Sequence, residues 1–171
     1  EAFEALGGKI LQKGVSALEK NGDVLVESQT HSFDRIIVAA GVHSKLLIRQ
    51  LTGVKVPIQA ERGYHLMVDD KRDVLPFPIS SADRKFIMTP MSGGLRLAGT
   101  VEYADVESPP NMKRSEMLFQ LGDEMFESGL HPLKQGEKWM GNRPSTVDSL
   151  RVIDSIWDGN VLLAFGHQHL G

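Results

Sequence analysis

Apolar and polar positions along the chain change character abruptly at two places. The stretch FDRIIVAAGVHS, Phe33 to Ser44, holds an apolar, β-branched run, Ile36 to Ala40, that stops at Gly41. This pattern predicts a central sheet strand covered on both faces, then a turn and a short helix, Ser44 to Leu51. A second such run, Asn160 to Phe165, leads into the turn FGHQHLG. Ligands of open α/β sheets bind at the carboxyl ends of strands, where small residues let backbone come close. Upstream, EAFEALGG reads as the last turns of a helix closed by Gly7 and Gly8. Lys9 to Glu19 predicts a strand and Asn21-Gly22-Asp23 a turn. Val24, Val26 and Ser28 alternate with Leu25, Glu27 and Gln29 as its partner. Residues 9 to 40 would then form a hairpin feeding the central strand.

From Pro57 onward the segments shorten and alternate more strictly. Glu61 to Val68, Lys85 to Pro90 and Leu95 to Val101 read as strands, with Ser92-Gly93-Gly94 as a tight turn. Arg114 to Ser128 predicts an amphipathic helix burying Met117, Leu118, Leu121, Met125 and Phe126, closed by Gly129. Pro109-Pro110-Asn111 is a stiff loop before it. Glu137 to Arg143 reads as another strand and Pro144 to Ser149 as a loop. The fold class is α/β (α+β), a mixed, largely antiparallel sheet with a helix. The expected organisation is a discontinuous unit, 1–55 with 145–171, interrupted by a second unit, 56–144. A chain that starts in a helix tail and stops on a ligand-type turn is expected to be an internal fragment.

Charge and composition narrow the partners. The net charge of −3 and the scatter of Lys and Arg give no reason to expect nucleic acid or an anionic membrane surface. The absence of cysteine excludes disulfides, thiolate metal sites and a cysteine nucleophile, and fits a reducing compartment. No apolar run approaches the ~20 residues that span a bilayer, and EAFEALGG lacks the basic start of a signal peptide.

Three motifs carry candidate chemistry. In Gly141-Asn142-Arg143-Pro144 an Arg at a strand end can aim its planar fork into a cleft and pair bidentately with a carboxylate. A surface ion pair is the plain alternative. In Arg62-Gly63-Tyr64-His65 the glycine permits close approach, Arg62 ties segments together, and Tyr64 or His65 can face a cleft. In Gly166-His167-Gln168-His169-Leu170-Gly171 two histidines fall short of a metal set, and backbone amides presented to a ligand are the better reading. GxSxG, GxxxxGK[ST] and GxGxxG are all missing from these residues.

Taken in order, FDRIIVAAGVHS, ERGYHLMV, KFIMTPMSGGLRLAGTVEY, SPPN, GNRPSTVDSL and VLLAFGHQHLG resemble the D-amino-acid oxidase family of flavoproteins, nearest its bacterial D-amino-acid dehydrogenase branch. The resemblance implies a substrate domain inserted into a Rossmann-type FAD domain, here without its GxGxxG segment. It implies oxidation of an amine beside a carboxylate by hydride transfer from Cα to flavin N5, giving an imine that water hydrolyses. Arg143 would bind the substrate carboxylate, with Tyr64 and Met88 beside the substrate. FAD would contact Val15, Ala40, Gly41, Gly166, His167, Gln168, His169 and Gly171, and would be held weakly or not at all by this segment alone. Family members often place a tyrosine over the substrate in the strand Lys85 to Pro90, where this chain has Phe86, Ile87 and Met88. The stretch usually written SLPVIG is SLRVID here, with Arg151 and Asp154 replacing a Pro and a Gly. The partners implied are an amino-acid substrate and an electron acceptor: quinone, carrier protein or oxygen. The implied location is cytoplasmic or peripheral to the bacterial inner membrane. Glycine, N-methyl amino acids and 2-hydroxy acids are alternative substrates in the same fold. A non-catalytic module that binds a small carboxylate or a protein is the alternative from another class.

Overall fold

The structure, a computed structural model, describes residues 2–69, 74–130 and 135–168. In chain order its elements are α1 (Ala2–Ala5), β1 (Val15–Leu18), β2 (Asp23–Val26), β3 (Gln29–Ser32), β4 (Ile36–Val38), a 3-10 turn (Gly41–His43) and α2 (Ser44–Thr52). There follow β5 (Ile58–Val68), β6 (Ile79–Ser81), β7 (Phe86–Met91), β8 (Gly94–Ala104), α3 (Lys113–Asp123), β9 (Gln135–Thr146), β10 (Val152–Ile156) and β11 (Val161–Phe165). They build three sheets, ordered β1-β2-β3, β10-β11-β4 and β6-β7-β8-β5-β9. Pairing is antiparallel except between β11 and β4, which run parallel. The mixed α/β class with largely antiparallel sheets is thus the one that the sequence predicts.

Strand β5 is the shared beam. Its first half puts Ile58 and Ala60 into one core, with Val38, Ile48 and Phe165. Its second half puts Leu66 and Val68 into another, with Met88, Leu97 and Leu118. Ile58, Ala60, Leu66 and Val68 share one parity along β5, so the two halves of this long strand feed two apolar clusters.

Several elements differ from the expected ones, each for a local reason. The first hairpin is shorter: β1 begins only at Val15, with an irregular register between Val15 and Ala17. Glu27 takes φ 53° and breaks the expected second strand, so Val26 pairs with Gln29 across a tight turn. β4 lies at the edge of its sheet among the described residues. Ile36 and Val38 are buried but Ile37 is 64% exposed, so the strand is covered on one face. α3 stops at Asp123, and its tail tightens into bonds from Met125 to Gly122 and Phe126 to Asp123. Its buried face is Ser115, Leu118, Phe119 and Gly122, while Met117 and Met125 are exposed. The small residues decide this rotation: a Cβ at Gly122 would sit 3.2 Å from Leu97 and Leu130 carbons, so the helix rests on its thinnest side. β9 continues through Pro144 to Thr146, where a loop was expected. β9 is an edge strand of its sheet among the described residues, and an edge tolerates a missing N–H.

Candidate active site

Register sorts the side chains of the five-stranded sheet. Glu61 pairs with Arg143, Gly63 with Gly141, and His65 with Trp139. These positions share one face because strand side chains alternate. The intervening positions, Arg62, Tyr64 and Leu66, share the other.

On the first face Arg143 Nη1 donates to Glu61 Oε1 at 3.3 Å. Ser145 Oγ donates to Glu61 Oε2 at 2.5 Å, so the carboxylate that orients the guanidinium is itself held. The Arg143 side chain keeps 35% exposure. Glycines make the floor on which this face lies flat. A Cβ at Gly63 would fall 2.7 Å from Arg143 Cζ, and one at Gly141 would fall 2.6 Å from Trp139 Cζ2. Trp139 also stacks on His65, with ring centroids 4.8 Å apart and an interplanar angle of 17°. Burial and the nearby Arg96 guanidinium hold the His65 imidazole below its usual pKa, which favours the neutral ring.

The opposite face is structural. Arg62, 1% exposed, donates to the carbonyls of Asp105, Val106, Ser108 and Pro109, and to Asn142 Oδ1. Tyr64 OH donates to Glu102 Oε2 at 2.5 Å and accepts from the Asn111 N–H at 3.1 Å. Burial, then the Glu102 bond, pushes the Tyr64 phenol above its usual pKa. Met88 lies in the core beneath α3. Tyr64 and Met88 are therefore not brought together with Arg143. On β7 the residues that share the face of Arg143 include Ile87, which pairs with Ala98 opposite His65, and Thr89, which pairs with Arg96 opposite Met67.

Among the described residues, Ala40, Gly41, Gly166, His167 and Gln168 follow the ends of β4 and β11. Leu163 of β11 lies beside Val38 of β4, so Gly166 to Gln168 emerge next to Ala40 and Gly41. Gly41 has φ 56° and Gly166 φ 78°, conformations that favour glycine. The Gly41–His43 turn packs against β9. Gln168 Nε2 donates to the Thr146 carbonyl and to Thr146 Oγ1, at 3.3 and 3.1 Å, which ties the terminal loop to the strand that carries Arg143. Val15 and Ala40 line one hollow of about 490 Å³ with Ser16, His43 and Leu46. His167 is half-buried, while His169 and Gly171 lie outside the described residues. A Cβ at Gly41 would meet open space within 4 Å, so the turn leaves room for a flat group lying against backbone. That geometry suits part of a flavin site. Among the described residues no cluster of His, Cys, Asp or Glu is placed to hold a metal ion.

Sequence reasoning missed Glu61, Ser145, Trp139 and Arg96. Alternation from Arg143 groups Ser145, Gly141 and Trp139 on one face. Nothing local in the sequence tells that Glu61 lies across from Arg143.

The structure thus combines glycine turns at the ends of β4 and β11 with a guanidinium carried on β9. The family model described as DAO, FAD dependent oxidoreductase, matches residues 1–171, and the chain belongs to that family. It is 34% identical over 98% of its length to a D-amino-acid oxidase of Bradyrhizobium diazoefficiens, of which it covers 41%. It is 31% identical over 79% of its length to a D-amino acid dehydrogenase of Paramagnetospirillum magneticum, of which it covers 32%. Its fold matches glycine oxidase from Geobacillus kaustophilus with a TM-score of 0.80 at 16% identity, over 98% of this chain and 46% of that one. The chain thus spans less than half the length of these relatives. No helix among the described residues is long and apolar enough to cross a membrane.

Proposed function

We propose that this chain carries the substrate-carboxylate anchor and part of the FAD site of an enzyme that oxidatively deaminates D-amino acids. The observation that carries this is Arg143, oriented by Glu61 on a glycine floor, on a strand whose end is tied to the terminal loop. Glu61 engages Nη1 and leaves the rest of the fork for a substrate carboxylate. Fixing that carboxylate orients the adjacent Cα, and positioning of this kind lowers the barrier without chemistry from the side chain. The Trp139–His65 stack walls the face beside Arg143. On β7 the neighbours the substrate would meet are Ile87 and, one pair further along the same face, Thr89, rather than Met88; Tyr64 of β5 lies on the other face. Backbone at Ala40, Gly41 and Gly166–Gln168 would hold the flavin, with Val15 at the edge of the adjoining hollow. FAD, when bound, would supply the two-electron acceptor for oxidation of the substrate amine to an imine, which water would hydrolyse. Residues 56–144 would form the substrate unit and the remainder part of the cofactor unit. The onward acceptor would be a quinone, a carrier protein or oxygen.

The Arg143–Glu61 ion pair also suits a non-catalytic module that binds small carboxylates. The two readings part on Arg143→Leu in the full-length flavoprotein. Loss of a charge-assisted pair to substrate should lower kcat/KM about a hundredfold, mostly through KM. Unchanged turnover of D-amino acids in that variant would remove Arg143 from the site.

A further inference from the structure

Another cation lies on the face of Arg143, and its role is open. Arg96 of β8 pairs with Met67 on one side and Thr89 on the other, which puts it on the same face as His65. The neighbouring positions, Leu95 and Leu97, point into the opposite core. By register Arg96 is the diagonal neighbour of His65 on that face, and its charge helps to lower the His65 pKa. Arg96 Nε is buried and has no hydrogen-bond partner. No acid forms an ion pair with Arg96 among the described residues. Glu137, exposed on the same edge, acts on His65 without pairing to Arg96. Arg143 by contrast already has Glu61. A guanidinium donor shut from water with nothing to accept its proton is costly, and an incoming anion relieves that cost.

The spacing says which anion. The Arg143 guanidinium lies over Gly63. His65 is the next position on that face of β5, about 7 Å further, and Met67 beside Arg96 is about 7 Å beyond it. The stacked rings of His65 and Trp139 fill the interval with a flat, weakly polar surface. A molecule with a carboxylate at each end and methylenes between them, hydrogen-bonded at about 2.8 Å on both sides, spans a gap of this order.

We propose that Arg96, beside the His65–Trp139 stack, is a specificity-determining residue that receives a second carboxylate, so that the favoured substrates are acidic D-amino acids. This rests on the function proposed above. Arg143 would hold the α-carboxylate, the stack would carry the methylenes, and Arg96 would pair with the side-chain carboxylate. A site built around an unpaired buried donor discriminates strongly against analogues that leave it unpaired.

The test uses the full-length flavoprotein, with D-glutamate and D-aspartate set against D-alanine and D-norvaline, followed by flavin bleaching without oxygen. The wild type should favour the acidic pair in kcat/KM by at least about tenfold. Arg96→Leu should cost the acidic pair at least about tenfold and shift the neutral pair by less than about threefold, and Arg96→Lys should restore part of the loss. Retained turnover of neutral substrates shows that the variant is folded. Efficient oxidation of D-alanine with D-glutamate no better overturns the second subsite alone, and needs no variant. An equal drop on both classes in Arg96→Leu also overturns it. No bleaching by either class overturns this proposal together with the function on which it rests.

Discussion

At the scale of single residues the site depends on what glycine leaves out. Gly63 gives Arg143 a place to lie, because any Cβ there would overlap the guanidinium. The overlapping atoms are the far end of a flexible side chain, so Gly63→Ala should be tolerated by the fold. We expect Tm to change little and the substrate KM to rise at least about tenfold, as the fork lifts from its floor and loses alignment with Glu61. His65 gives a pH-dependent term. Its folded pKa lies below the usual 6.5, chiefly through burial and secondarily through Arg96. The unfolded chain therefore binds the proton more readily than the folded one, and stability rises with pH across this interval. The contribution is fully present above 6.5 and is lost as pH falls toward the depressed folded value. Denaturant titrations between about pH 8 and about pH 5 should show a smaller loss for His65→Gln than for the wild type.

At the scale of elements, Arg62 pins the 105–109 segment to the sheet. Its guanidinium donates to four carbonyls of that segment, with Glu102 at 3.7 Å. Arg62→Leu should cost about 3 kcal/mol, because carbonyls and a carboxylate lose a buried partner together. Limited proteolysis should open that segment first; a variant with wild-type Tm and cleavage pattern would contradict this account. The tying role of Arg62, and the strands around it, were legible in the sequence because alternation and turn residues are local signals. The opposed faces of Arg143 and Tyr64 were not. Parity within β9 is readable, but parity between β9 and β5 depends on a register set by long-range pairing. The α3 face was misplaced for a related reason: large apolar residues suggested the buried side, while Ser115 and Gly122 let the helix settle closer on another. Glu61 could not be assigned from sequence at all, since its partners lie more than eighty residues away.

At the scale of the whole molecule the question is how much of a flavin these residues can hold. The two cores meet along β5, so the substrate face and the strand ends of β4 and β11 are joined by one continuous element. That rigid connection fixes Arg143 relative to the glycine turns, which substrate positioning requires. The contacts proposed for the cofactor, however, would come from strand ends and from the hollow beside Val15 and Ala40. The 171 residues contain no GxGxxG turn, the device that sets a dinucleotide's pyrophosphate at a helix N-terminus. Without it the charged centre of FAD gains little from these residues. The β10-β11-β4 sheet also leaves Ile37 and Ile153 exposed, so the strand ends that would cradle the ring are set on a sheet with an uncovered face. We therefore expect the 171-residue chain, purified on its own, to show no flavin absorbance band and to leave the fluorescence of added FAD unquenched. A stoichiometric flavin band would mean that Gly41, Gly166 and their neighbours bind the isoalloxazine end tightly enough to dispense with a pyrophosphate site.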